Sequence, residues 1–349
     1  MNHVINTRYS TAVCGAVGAL ALTLSATTPV AEGARCFSKI ISVGDSLSDV
    51  GNFYSLTGGT QPPPPYFEGR FCDGPVWNEY LAGMLNMELK PENQYALGGS
   101  LTGDMNLNSV PPSFILPGLE QQIDQVIADG RRSRVDPRAL YTVWAGANDF
   151  FAWVASGDPD PTPMITTGVT NTVEAIADLS EAGARYFVVF NLPDLGKTPT
   201  ALGFGPVLSG TLSFLCDSYN QQLDQQLDAL EASNRKLRIV RVDAYWLINH
   251  MVASPELYGF TNVTEPAVEG LPTADPDTYL FWDGVHPTTA AHEYVADAAL
   301  QQLEKTFDGI HHHGWHVANF RGRVYGAAHR MNCMKELTVP SHPRSRRAR

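Results

Sequence analysis

The stretch KIISVGDSLSDVGNFY, residues 39–54, decides how this chain is read. Its first half is an apolar run rich in β-branched residues, the pattern of a buried strand. The run stops at Gly44-Asp45-Ser46, and a loop of small and polar residues follows. A serine presented at the end of a buried strand is poorly suited to core packing and well suited to nucleophilic attack. That reading requires the rest of the sequence to supply a base for Ser46 and proton donors for an oxyanion.

Working outward, three more runs have the same buried character: ALYTVWAG (139–146), RYFVVFNL (185–192) and LRIVRVD (237–243). Helical patterns lie between them. In LEQQIDQVIADG (119–130), Leu119, Ile123, Val126 and Ile127 fall on one face and a glycine ends the pattern. TTGVTNTVEAIADLSEAG (166–183) repeats that design, and amphipathic helices are also predicted over 214–233 and 288–307. Strands alternating with helices predict an α/β fold with a mainly parallel sheet covered on both faces. Ligands bind outside the carboxyl ends of strands in such sheets. Ser46, Asn148 and Asn191 stand just past such ends and are expected on one rim. The long proline-rich loop at 57–75 is either a wall of the substrate cleft or a rigid surface excursion.

The 349 residues divide into three segments by composition: 1–31, 32–307 and 308–349. Residues 1–31 hold one Arg, no acid, a run of small and aliphatic residues and then small residues suited to cleavage between Ala26 and Ala34. That order reads as a secretory signal peptide, because the apolar run is short of the ~20 residues that span a bilayer. Export or a periplasmic location follows as the expected localisation. The tail 308–349 reads as a basic, disordered extension. A metal site on His311, His312, His313 and His316 is its sharper alternative. No cofactor and no metal are expected for the body. Cys14 falls in the signal segment; Cys36, Cys72, Cys216 and Cys333 remain, with Cys36–Cys72 the pairing favoured among three. The net charge is −12, with +6 in the last 42 residues and +1 in residues 1–31, so residues 32–307 carry −19. An acidic body repels phosphate backbones and argues against nucleic-acid binding.

Only three histidines lie in the body: His250, His286 and His292. His292 falls inside the last helix and His250 follows an apolar run, so both read as structural. His286 stands in FWDGVHPTT, three residues after Asp283. In a loop, that spacing lets a carboxylate accept the Nδ1 proton while Nε2 faces outward, as a general base needs. The alternative is a loop in which Asp283 merely caps a turn. For the oxyanion, YALGGSLTG (95–103) offers backbone amides unobstructed by Cβ atoms, and WAGANDF (144–150) places the Asn148 amide at a strand end.

Gly44-Asp45-Ser46-Leu47, Gly98-Gly99, Gly146-Ala147-Asn148-Asp149 and Asp283-Gly284-Val285-His286 occur in this order. Together they resemble the GDSL, or SGNH, family of lipases and esterases, and the likeness runs from about Lys39 to Phe307. It is strongest to the secreted bacterial branch through GDSLSDVGN, GPVWNEYLA, WAGANDF, NLPDLGKTP and FWDGVHPTTAAHEYVA. One departure is Gln94, where the second block usually opens with Asn. The resemblance implies a three-layer α/β sandwich and a site without cofactor. Ser46 would be the nucleophile, His286 the base and Asp283 its orienting acid. The oxyanion hole would comprise the Ser46 and Gly99 amides and the Asn148 side chain, with Gly98 as the substitute for Gly99. GDSLS cannot form the sharp Gly-x-Ser-x-Gly elbow, since glycines do not flank Ser46 two positions away on both sides.

The expected activity is that of a secreted serine esterase or lipase on small-molecule or lipid esters, with transient lipid-surface contact. A phospholipase A or acyltransferase of the same chemistry is the alternative, followed by a non-catalytic secreted binding module. The aromatics Phe53, Tyr54, Trp77, Trp144, Trp153 and Trp282 are expected mainly in the core, with lining of an acyl site as their other role.

Overall fold

A computed structural model describes residues 37–131, 135–270 and 273–307, all within the unit Cys36–Arg349. The expected signal segment, Cys36, and the tail with its histidines and Cys333 lie outside the described residues. Each apolar run forms a five-residue strand: β1 (Ile40–Gly44), β2 (Leu140–Trp144), β3 (Tyr186–Phe190) and β4 (Arg238–Val242). They pair in parallel in the order β1-β2-β3-β4, with Gly44 level with Trp144 and Phe190 level with Val242. A smaller parallel pair, β5 (Asn262–Pro266) and β6 (Tyr279–Phe281), lies apart from this sheet.

The helices among the described residues are α1 (Asn52–Leu56), α2 (Trp77–Met84), α3 (Leu119–Arg131), α4 (Ala147–Ser156) and α5 (Thr162–Ala182). Then follow α6 (Pro199–Gly203), α7 (Pro206–Ser233), α8 (Ala244–Ala253) and α9 (Thr289–Thr306). Successive side chains of a strand point to opposite faces. Ile40, Leu140, Val188 and Val240 therefore meet α2, α8 and α9 on one side. Ile41, Tyr141, Phe187 and Val189 meet α3, α5 and α7 on the other. Both faces are covered, which is why β1, β2 and β3 read as near-continuous apolar runs, while β4 at the sheet edge carries Arg238 and Arg241. The result is a three-layer sandwich with a parallel centre.

Two helices begin earlier than their periodicity predicts. α5 opens at Thr162 and α7 at Pro206, each with a proline in its first turn. The missing N–H is harmless there. The first two turns of α7, residues 206–213, expose Val207 and Gly210 beside Thr211, so no amphipathic period marks them in the sequence.

The free edge of β1 is only partly paired. Gln94 bridges Ser42 in parallel, and Leu97 N–H donates to Gly44 O at 3.0 Å. The chain thus leaves β1 toward residues 94–97 on one side and toward β2 on the other. That is the topological switch point at which α/β sheets bind ligands, and Ser46 stands there. The side chain of Gln122 on α3 bonds both backbone groups of Gly44, at 2.8 and 2.9 Å, and so holds the strand end beneath the serine.

Candidate active site

Ser46 follows β1 directly, while His286 and Asp283 lie in the loop between β6 and α9. The structure brings all three together. Ser46 Oγ is 2.9 Å from His286 Nε2, and His286 Nδ1 is 2.7 Å from Asp283 Oδ2. The two carboxylate oxygens of Asp283 divide their tasks. Oδ1 accepts the backbone N–H groups of Val285 and His286, at 2.8 and 2.7 Å. Oδ2 receives the imidazole. Asp283 thus caps the turn with one oxygen and meets the imidazole with the other.

The electrostatics agree with this chain. Burial disfavours the ionised form of Asp283, but the His286 charge, its hydrogen bond and the two amides outweigh burial and hold Asp283 down to about 2. Burial also pulls His286 down. The charge and hydrogen bond of Asp283, with Asp45 adding to them, outweigh that burial and leave His286 above its ordinary value of 6.5. His292 on α9 is driven down to about 3, mainly by burial. It is neutral at working pH, as expected of a structural histidine.

The loop at 97–102 is bonded to both neighbouring blocks. Asn148, in the first turn of α4, donates from Nδ2 to Ser100 O at 3.0 Å. A primary amide carries two N–H donors, so one remains for a ligand. Asp149 accepts from Thr102 N and Oγ1 at 3.0 and 2.6 Å. Asp49 accepts the Gly98 N–H at 2.8 Å together with the amides of Gly51, Asn52 and Phe53. The Gly98 amide is thus committed to Asp49, which removes Gly98 as the substitute donor and leaves Gly99. Gly99 has φ +84°, and a Cβ there would fall 2.4 Å from Asn108 Nδ2. Gln94 turns its amide toward Ile40 O at 3.3 Å, while its Oε1 is buried without a partner.

Ser46, Asn148 and His286 line one apolar cleft of about 620 Å³, counting the space open to solvent. Trp144 and Phe151 flank it, and Leu247, Ile248 and Val295 extend it toward α8 and α9. Of the six aromatics considered from sequence, Trp144 lines the cleft. Trp77 is core, with its ring 4.4 Å from Phe190. Asn191 is at the rim, but its side chain bonds Asp243 and Tyr245 N–H, shaping the turn into α8. Cys72 and Cys216 are buried and not bonded to each other.

Sequence reasoning missed Tyr66 and Phe71, both in the proline-rich loop. Tyr66 donates its hydroxyl to Asp283 Oδ2 at 2.8 Å, and the Phe71 ring lies 5.2 Å from that of His286. It also missed Asp49, whose position three residues after the serine signals an amide-capping carboxylate.

Comparison with known proteins places the chain among relatives that act on esters and lipids by name. The phosphatidylcholine-sterol acyltransferase of Aeromonas hydrophila is 27% identical, over 85% of this chain and 98% of that protein. The thermolabile hemolysin of Vibrio parahaemolyticus is 26% identical, over 76% of this chain and 63% of the hemolysin. Among solved structures, a catalytic mutant of Axe2, an acetylxylan esterase from Geobacillus stearothermophilus, overlaps with a TM-score of 0.43 at 13% identity. That overlap covers 79% of this chain and 97% of that one. The family described as GDSL-like lipase/acylhydrolase matches residues 40–299. With most of its length inside that match, the chain belongs to the GDSL-like lipase/acylhydrolase family and is a carboxylic ester hydrolase.

Proposed function

We propose that this chain is a secreted serine esterase or lipase that works through an acyl-enzyme on Ser46. The observation that carries the reading is the continuous chain from Ser46 Oγ through the His286 ring to Asp283 Oδ2, at 2.9 and 2.7 Å. Ser46 Oγ attacks the ester carbonyl as its proton passes to His286 Nε2. The imidazolium, stabilised by Asp283, then returns that proton to the leaving alcohol. Water repeats the sequence to release the acid. Negative charge on the carbonyl oxygen meets the amides of Ser46 and Gly99 and the free N–H of Asn148 Nδ2, a preorganised set of the kind that dominates acyl-transfer catalysis. Secretion rests on the order of parts in residues 1–31.

A phospholipase or acyltransferase activity has its own support. Residues 198–216 carry no charge in an otherwise acidic chain, and they expose Phe204 (67%), Val207 (84%) and Phe214 (68%). Thr198 lines the cleft, and Thr200 N–H donates to Gly284 O in the loop that holds His286. An apolar surface beside the cleft suits an ester presented in a lipid layer.

The test is hydrolysis of p-nitrophenyl esters of increasing acyl length and of phosphatidylcholine vesicles, with and without a sterol acceptor, by the wild type and Ser46→Ala. Loss of every activity in the variant, with an unchanged fold, is expected. Turnover retained by Ser46→Ala would remove Ser46 from the mechanism. Transfer of acyl groups to the sterol would select the second reading.

A further inference from the structure

The catalytic carboxylate has a fourth donor that comes from neither its own loop nor the histidine. Tyr66 sits in the proline-rich loop, 217 residues away in sequence, and gives its hydroxyl proton to Asp283 Oδ2 at 2.8 Å. This is the oxygen that holds the His286 Nδ1 proton. The tyrosine ring stands edge-on to Trp282 at 5.8 Å, which fixes its direction.

The loop around it is anchored along its length. Arg70 forks onto Glu79 of α2, at 3.2 and 2.6 Å. Phe67 N–H donates to Cys72 O at 2.8 Å, closing the turn that follows Tyr66. Asp73 Oδ1 accepts the Thr289 N–H at the start of α9, at 2.8 Å. Phe71, packed 5.2 Å from the His286 ring, also occupies the space that a side chain on Gly98 would need. The loop therefore touches the acid, the imidazole and the glycine block at once.

We propose that Tyr66 is a positioning residue for the ester hydrolase reaction, setting the basicity of His286 through the shared oxygen of Asp283. This rests on the assignment of Ser46, His286 and Asp283 made above. The sign follows from the donor. A hydroxyl that donates to Oδ2 withdraws negative charge from the atom that stabilises the imidazolium. It therefore restrains the upward pull of Asp283 on His286. Burial and the Asp283 charge push the Tyr66 phenol up, so it remains a donor throughout the working range. The other groups facing His286 are Ser46 and Asp45 from the end of β1 and the neutral His292 on α9. None of these is altered by a change at Tyr66.

The test is Tyr66→Phe, which keeps the ring against Trp282 and removes only the hydroxyl. His286 is titrated by NMR in the wild type and the variant, beside the pH profile of kcat/KM for a soluble ester. The expected result is an upward shift of the His286 titration by roughly half a pH unit, with the acid limb of kcat/KM moving by the same amount. The melting temperature should remain close to that of the wild type. An unshifted or lowered His286 titration would overturn the proposal, even where kcat falls. Such a failure leaves Ser46 untouched, because the triad reading is judged separately by Ser46→Ala.

Discussion

Asp283→Asn tests the division of labour between the two carboxylate oxygens. Oδ1 accepts two backbone N–H groups at 2.8 and 2.7 Å, and an amide NH2 cannot accept either. Turning the NH2 toward them would leave two donors facing a donor, at about 1–3 kcal/mol for each lost bond. The amide oxygen of the variant therefore keeps the backbone, and its NH2 takes the Oδ2 place against His286 Nδ1. A donor facing Nδ1 forces the ring proton onto Nε2, which then donates to Ser46 Oγ and cannot accept from it. The expected loss in kcat is about 10⁴, or roughly 5.5 kcal/mol in the barrier. The same change alters the pH profile. In the wild type His286 titrates above 6.5 because Asp283 outweighs burial, and the base is lost as pH falls through that value. Without the carboxylate, burial acts with only Asp45 against it, so the acid limb of the residual activity moves to lower pH. The assay is soluble-ester hydrolysis from pH 5 to 9, with near-ultraviolet circular dichroism to verify the fold. A folded variant with kcat within tenfold of the wild type, or with an unmoved acid limb, would refute the tautomer argument.

Two further predictions concern catalysis and stability. Asn148→Ala should lower kcat by roughly 10²–10³ through loss of one oxyanion donor. Its bond to Ser100 O adds a stability loss of about 1 kcal/mol, and an unchanged kcat would dismiss Asn148 from the site. Asp297 on α9 is raised to about 7, first by burial and then by Glu293 and Glu304. A raised acid lowers stability as pH climbs from the ordinary carboxylate value to about 7. Asp297→Asn should therefore stabilise the protein at pH 8 by on the order of 2–4 kcal/mol and by little at pH 4. Equal melting shifts at both pH values would contradict this.

What could be read from the sequence depended on the range of the interaction. β1 to β3 were legible because burial on both faces leaves a near-continuous apolar run, and the edge strand β4 by the β-branched residues between its two arginines. Asp283 and His286 were legible because three residues of loop suffice to join them. The pairing of Gly98 with Asp49 was not, since a glycine pair looks the same whichever amide is occupied. The first turns of α7 were hidden because Pro206 and Gly210 read as loop residues and no amphipathic period runs through them. Tyr66 was the hardest case: its loop reads equally as a cleft wall or a surface excursion, and nothing local tells a tyrosine that it will meet a carboxylate 217 positions away.

The acids around the site separate themselves by environment. Asp45, Asp49 and Asp149 are buried beside the nucleophile and the glycine block, and burial lifts them to about 7, 6 and 6 despite the amide and hydroxyl groups they accept from. Asp283 is also buried, yet it alone of the four is held down, because an imidazole meets it. Of these four acids, Asp283 alone is held below the ordinary carboxylate range. Asp45 is the intermediate case. It stands next to Ser46, His286 favours its ionised form, and it helps in turn to raise His286. The GDS sequence therefore does more than present a serine: it sets beside Ser46 a buried acid whose ionised form and the charged form of His286 favour each other.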